Sequence, residues 1–124
     1  MSQRSILIVD DEEDIVRALS IRLASMGYQL FTAADGLTGL EIARAEKPDL
    51  ILLDVMLPKL DGFKVCRMLK YDEKFKRIPI IMLTAKVTDV DQVMGRDVGA
   101  NEYLTKPFDP DRLVELVEKY AGKA

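Results

Sequence analysis

The chain contains no histidine, no tryptophan and a single cysteine in 124 residues. Without histidine it can build neither a Ser-His-Asp nor a Cys-His nucleophile pair, nor a histidine-ligated zinc, and it cannot itself carry a phosphohistidine. The lone cysteine, Cys66, can form neither an internal disulfide nor a thiolate metal cage, and is expected to be a small buried apolar residue. No apolar run approaches the roughly 18 residues of a membrane span, and the N-terminus lacks the basic region, apolar core and cleavage signal of a secretory leader. A cytoplasmic location is therefore expected. Runs rich in Lys and Arg and interleaved with aromatics are also missing, and the formal charge is −3. No direct nucleic-acid contact is expected from these residues, and no membrane contact.

With 48% hydrophobic and 31% charged residues, the chain can form one core and cover it. No linker, repeat or low-complexity segment divides it, so residues 1–124 are expected to form one domain. The hydrophobic period alternates between two patterns. Short buried-strand runs lie at Ser5 to Val9, Gln29 to Ala33, Leu50 to Leu53, Pro79 to Leu83 and Glu102 to Leu104. Helical patterns lie between them. Ile15, Leu19, Leu23 and Met26 share a face that ends at Gly27, and Leu37, Leu40 and Ala43 repeat the device before Lys47-Pro48. Phe63, Cys66 and Leu69 mark a third helix entered through Pro58 to Gly62. Thr88 with Asp91 reads as the capping box of a fourth, closed by Gly99. Asp109 as N-cap and Pro110 at the first position begin a fifth, with Leu113, Leu116, Val117 and Tyr120 inward.

Runs such as "ILIV", "LILL" and "IPIIML" are apolar throughout, as strands covered on both faces must be. Five strand-helix repeats predict an α/β, doubly wound parallel sheet of five strands with five helices. In such a sheet the chemistry collects at the carboxyl ends of the strands. Those ends carry Asp10 and Asp11, then Asp54, then Thr84, then Thr105-Lys106-Pro107.

Three ionised carboxylates crowded together repel one another, and a hard divalent cation removes that cost. Mg2+ suits an incomplete oxygen pocket better than a full Ca2+ cage would. Asp54, between metal and lysine, is placed as a nucleophile toward phosphorus, with Lys106 and the Thr84 hydroxyl to meet the equatorial oxygens. Glu12, Glu13 and Asp14 read instead as first-turn charges at the positive end of a helix.

"LIVDDEE", "DLILLDVMLPKLDGF", "IPIIMLTAK" and "GANEYLTKPF" resemble, in order and across essentially the whole chain, the motifs of the receiver domain of two-component response regulators. That resemblance implies a flavodoxin-like fold with the strand order 2-1-3-4-5, and it implies that Asp54 is the phosphoacceptor. It also implies that Asp11 binds Mg2+ directly, that Asp10 acts through water, and that the carbonyl of Met56 completes the protein ligands. Thr84 and Lys106 match the pair that contacts the phosphoryl group, and Tyr103 matches the aromatic switch that turns inward with the threonine. The implied reaction is phosphoryl transfer from the phosphohistidine of a sensor histidine kinase or phosphotransfer protein, followed by slow autodephosphorylation. Such a chain is a switch that catalyses its own modification and not a turnover enzyme in the ordinary sense. It then docks onto a downstream effector protein.

Met56 and Lys86 flank the expected path of a hydrolytic water. Methionine cannot orient that water, so a long-lived phosphoryl group is expected. Gln92, Asn101 and Leu116 stand where dimerising, DNA-binding relatives would carry charge, so a monomer or a weak phosphorylation-dependent dimer is expected. Nothing after the fifth helix supplies an effector, and a stand-alone domain is the simpler expectation.

Two readings from other classes fare worse. A metal-dependent phosphohydrolase would want an acid two residues beyond the nucleophile, where Met56 stands. A nucleotide or flavin module would want a phosphate-cradling loop after the first strand, where five acids stand. A phosphorylation-independent protein-binding module of the same fold is the remaining alternative.

Overall fold

Strands that are apolar at every position need cover on both faces, and alternate residues supply two separate cores. In the computed structural model, which describes residues 3–85 and 99–124, five parallel strands form one sheet in the order β2-β1-β3-β4-β5. The strands are β1 (Ser5–Val9), β2 (Gln29–Ala33), β3 (Leu50–Asp54), β4 (Ile80–Thr84) and β5 (Glu102–Thr105). Four helices are described: α1 (Glu13–Ser25), α2 (Gly36–Glu46), α3 (Gly62–Lys70) and α4 (Pro110–Ala121). The helical pattern expected from Thr88 to Asp91 onward lies outside the described residues, as do Lys86 and Gln92.

Leu7, Val9, Ile51, Leu53, Ile80 and Met82 face α2 and α3, whereas Ile6, Ile8, Leu50, Leu52, Ile81 and Leu83 face α1 and α4. This two-sided burial is why β1, β3 and β4 show no polar alternation. The edge strands β2 and β5 are only partly buried, in keeping with their mixed composition.

The three strands that end in functional residues each run one residue further than the apolar pattern implied. Asp54 pairs in register with Leu83, and Thr84 with Thr105. These side chains therefore leave paired backbone rather than loops.

Helix α2 departs from the expected face. Leu37 is exposed, and the buried stripe is Gly36, Gly39, Leu40 and Ala43. A Cβ at Gly39 would come within 2.8 Å of Val9, so the small residues, not Leu37, set how closely α2 lies on the sheet. Leu116 is buried in the α4 core, so an apolar residue there follows from packing and bears on no surface charge network. Asn101 is exposed, and its side chain accepts from the Ile80 N–H at 2.9 Å. Asp109 caps α4 as expected, accepting from the Asp111 N–H at 2.9 Å. No described helix is long and apolar enough to cross a membrane.

Candidate phosphoacceptor and metal site

Among the described residues, the buried polar or charged ones are Ser5, Asp10, Asp54 and Thr84. Ser5 opens β1, and the other three gather at the carboxyl rim of the sheet. Burying a carboxylate is costly unless its charge is met, so two of them side by side need a local reason.

Asp10 follows β1 and is 1% exposed. Its Oδ1 accepts from the Glu12 N–H at 2.9 Å, and its Oδ2 makes a 2.7 Å ion pair with Lys106 Nζ that lacks hydrogen-bond direction. Asp54 ends β3 and is 4% exposed. Its Oδ1 accepts from the Met56 N–H at 3.4 Å and lies 3.5 Å from Lys106 Nζ. The Lys106 side chain is itself buried, and its backbone N–H is tied to the Thr84 carbonyl at 2.6 Å. The fifth strand thus delivers its ammonium between the ends of the first and third. Thr84 is buried at the end of β4, and the Lys106–Pro107 peptide that follows β5 is cis.

The electrostatics follow from that crowding. Burial pushes the Asp54 carboxyl up, the Asp10 charge adds to it, and the Lys106 ammonium and the Met56 N–H oppose them. With a smaller upward push from Asp11, the result is a pKa of about 6. For Lys106, burial works against the charge, but the contact with Asp10 and the charges around it prevail and raise its pKa.

Glu12 is the residue that the sequence reading left out of the site. Its Oε1 lies 3.2 Å from Lys106 Nζ, and Asp10, Glu12 and Asp54 offer oxygens within 4.8 Å of one another. Glu12 occupies the N-cap position of α1 but makes no side-chain cap bond. A long acid at a cap position usually filled by shorter acceptors was the available signal. Asp11 is exposed and lies outside this group of three, although its charge reaches Asp54. The Met56 side chain is 78% exposed, while its backbone is engaged by Asp54. Tyr103 is half-buried and packs against the core on the α2 and α3 side of the sheet.

Carboxylate oxygens alone make up this donor set, and Asp10 Oδ2 is buried with only a poorly directed cationic contact. Such a set fits a hard divalent ion and not a zinc or copper site.

A doubly wound parallel sheet in the order 2-1-3-4-5, with paired acids after the first strand, an acid ending the third and a lysine after the fifth, belongs to the flavodoxin-like class. The family model "Response regulator receiver domain" matches residues 6–118, and the chain belongs to that family. It is 52% identical over 107 residues to the alkaline phosphatase synthesis transcriptional regulatory protein PhoP of Bacillus subtilis, covering 86% of this chain and 44% of that protein. To the DNA-binding dual master transcriptional regulator RpaA of Synechocystis it is 47% identical over 112 residues, covering 90% and 46%. The chain thus spans under half the length of these two relatives, and the expected lack of nucleic-acid contact is not extended beyond its own residues.

Among solved structures, chemotaxis protein CheY4 of Vibrio cholerae superposes with a TM-score of 0.89 at 33% identity, covering 96% of this chain and 99% of that one. The receiver domain of a sensor histidine kinase from Pseudomonas aeruginosa, solved with magnesium coordinated in its active-site cleft, gives 0.88 at 33% identity, covering 98% and 100%.

Proposed function

We propose that this chain is a phosphorylation-dependent signalling switch in which Asp54 accepts a phosphoryl group from the phosphohistidine of a sensor histidine kinase or phosphotransfer protein. The observation that carries the reading is the meeting of two buried carboxylates, Asp10 and Asp54, on one buried ammonium, that of Lys106. An Asp54 oxygen forms the new bond to phosphorus as the N–P bond of the donor imidazole breaks. The imidazole leaves with that electron pair, and Asp54 becomes an aspartyl phosphate.

Mg2+ would be held by Asp10, Asp11, Asp54 and the Met56 carbonyl, with Glu12 beside them, and when bound it neutralises charge on the phosphoryl oxygens. Magnesium in the cleft of the Pseudomonas receiver supports this assignment. Lys106 contributes a positive charge held by its contacts with Asp10 and Asp54, and the Thr84 hydroxyl donates to a phosphoryl oxygen. Thr84 and Tyr103 then shift together, changing the face around Tyr103 that a downstream effector reads. The domain works in the cytoplasm, as a monomer or a weak phosphorylation-dependent dimer. In a longer protein of the kind its relatives represent, the output would be control of transcription.

The test is intact mass after incubation with Mg2+ and acetyl phosphate, for wild type and Asp54→Ala. An adduct of about 80 Da, the mass of a phosphoryl group, that needs Mg2+ and vanishes in the variant is expected. No adduct in wild type would overturn the reading and favour a phosphorylation-independent binding module of the same fold.

A further inference from the structure

The loop after Asp54 is held at both ends by glycines pressed against backbone. Gly36, the first residue of α2, is buried. A Cβ there would lie 1.7 Å from the Leu60 carbonyl oxygen and 2.7 Å from its carbon, so no side chain fits while helix and loop keep their places. The Gly36 N–H donates to the Pro58 carbonyl at 3.2 Å, and that carbonyl also accepts from the Leu60 N–H at 2.8 Å. At the far end, a Cβ on Gly62 would lie 2.1 Å from the Asp54 carbonyl oxygen, and the Gly62 N–H donates to the Val55 carbonyl at 2.9 Å.

Charge reinforces the first contact. Asp35 caps α2, accepting from the Thr38 N–H at 2.7 Å and the Thr38 hydroxyl at 2.9 Å, and it lies 3.9 Å from the Lys59 ammonium. Lys59 is in the left-handed region, with φ of +68°, a conformation that only a well-braced loop imposes on a residue other than glycine. Between the two glycine contacts lies Met56, whose N–H donates to Asp54 Oδ1.

We propose that the start of α2, through Gly36 and the Asp35–Lys59 pair, is a latch that positions the loop after Asp54. The latch fixes where the Met56 main chain stands relative to the reacting carboxylate. The inference rests on Asp54 being the phosphoacceptor. Gly36 touches no reacting atom and acts through the Met56 backbone, so it is a positioning residue. A Cβ at Gly36 forces α2 and the loop apart by more than an ångström, and a misplacement of that size slows a positioned reaction on the order of 10- to 100-fold.

The experiment compares wild type, Gly36→Ala and Asp35→Asn in two measurements. Intact mass gives the rate of adduct formation at saturating acetyl phosphate and Mg2+, with the half-saturating donor concentration. Amide NMR of the donor-free, metal-free protein gives the position of the Met56 resonance. In Gly36→Ala the maximal rate is expected to fall at least about tenfold with little change in half-saturation, and the Met56 amide is expected to move while the Ser5 and Gln29 amides stay. Asp35→Asn retains a good helix cap and loses the charge facing Lys59, so it should shift the same amide with a smaller fall in rate.

If Gly36→Ala fails to fold, Asp35→Asn decides alone. An unmoved Met56 amide, or an unchanged rate, in the folded variants would overturn the latch while leaving the phosphoacceptor reading in place. Absence of an adduct in wild type would overturn both.

Discussion

Lys106 Nζ stands 2.7 Å from Asp10 Oδ2, joining the residue after β5 to the residue after β1 across the rim of the sheet. Both partners are buried, so neither charge can be left alone cheaply. Lys106→Met keeps the length of the side chain and removes its charge. In chelator-treated protein it should cost about 3 kcal/mol, the lower end for breaking a buried pair. Mg2+ should narrow the gap by supplying a cation. Urea unfolding with and without Mg2+ checks this, and equal midpoints for wild type and variant in chelator would refute it.

Asp54 sets a pH dependence of unusual sign. Its carboxyl is pushed up to about 6, chiefly by burial and then by the Asp10 charge, whereas an unfolded aspartate titrates near 3.9. Between about pH 4 and pH 6 the folded metal-free protein keeps a proton that the unfolded chain has lost. Stability from this group is therefore full below about 4 and is lost as pH rises through about 6. Asp54→Asn cannot titrate. Wild-type stability minus that of the variant should fall across the window in chelator, and a flat or rising difference would exclude the shift.

Met56 leaves its side chain in solvent two residues beyond Asp54. Once Asp54 is phosphorylated, Met56→Asn would offer an attacking water one hydrogen bond that methionine cannot. One such bond is worth roughly 1 kcal/mol, or about a fivefold faster loss of phosphate. The decay of the adduct mass after donor removal measures it, and an unchanged lifetime would show that the water's path does not run past this residue.

At the opposite end of the sheet, the buried Tyr28 hydroxyl donates to the Gly122 carbonyl, fastening the end of α4 beside β2. Tyr28→Phe should cost about 1 kcal/mol of stability and leave the rate of the proposed phosphorylation at Asp54 unchanged, because no residue of the candidate site lies there. A slowed adduct rate in this variant would reveal coupling between the two ends of the sheet.

Much of this was legible in the chain. β1 and β2 match their expected limits, and β3, β4 and β5 differ from theirs by a residue at one or both ends, since doubly covered strands announce themselves by unbroken apolar runs. Placing Asp10, Asp54, Thr84 and Lys106 on one rim required only parallel strands and the rule that chemistry collects at strand ends, while the order of the strands came with the family resemblance. Glu12 escaped because its reach across to Lys106 depends on a lysine 94 residues away. Leu116 faces inward as its helical spacing indicated, but Leu37 does not: spacing alone does not say which residue a particular neighbour covers, and Gly39 against Val9 decided it for α2.

By itself the sequence determined where the five strands and the four described helices lie and the kinds of residue at each strand end, because these depend on local period and composition. The tertiary structure alone decided which charges share space. The 2.7 Å approach of Lys106 to Asp10, the inclusion of Glu12 and the seating of the Asp54 loop on Gly36 arise from register and close packing between segments distant in the chain. Electrostatic energy falls with distance and burial, so only the folded arrangement could assign it.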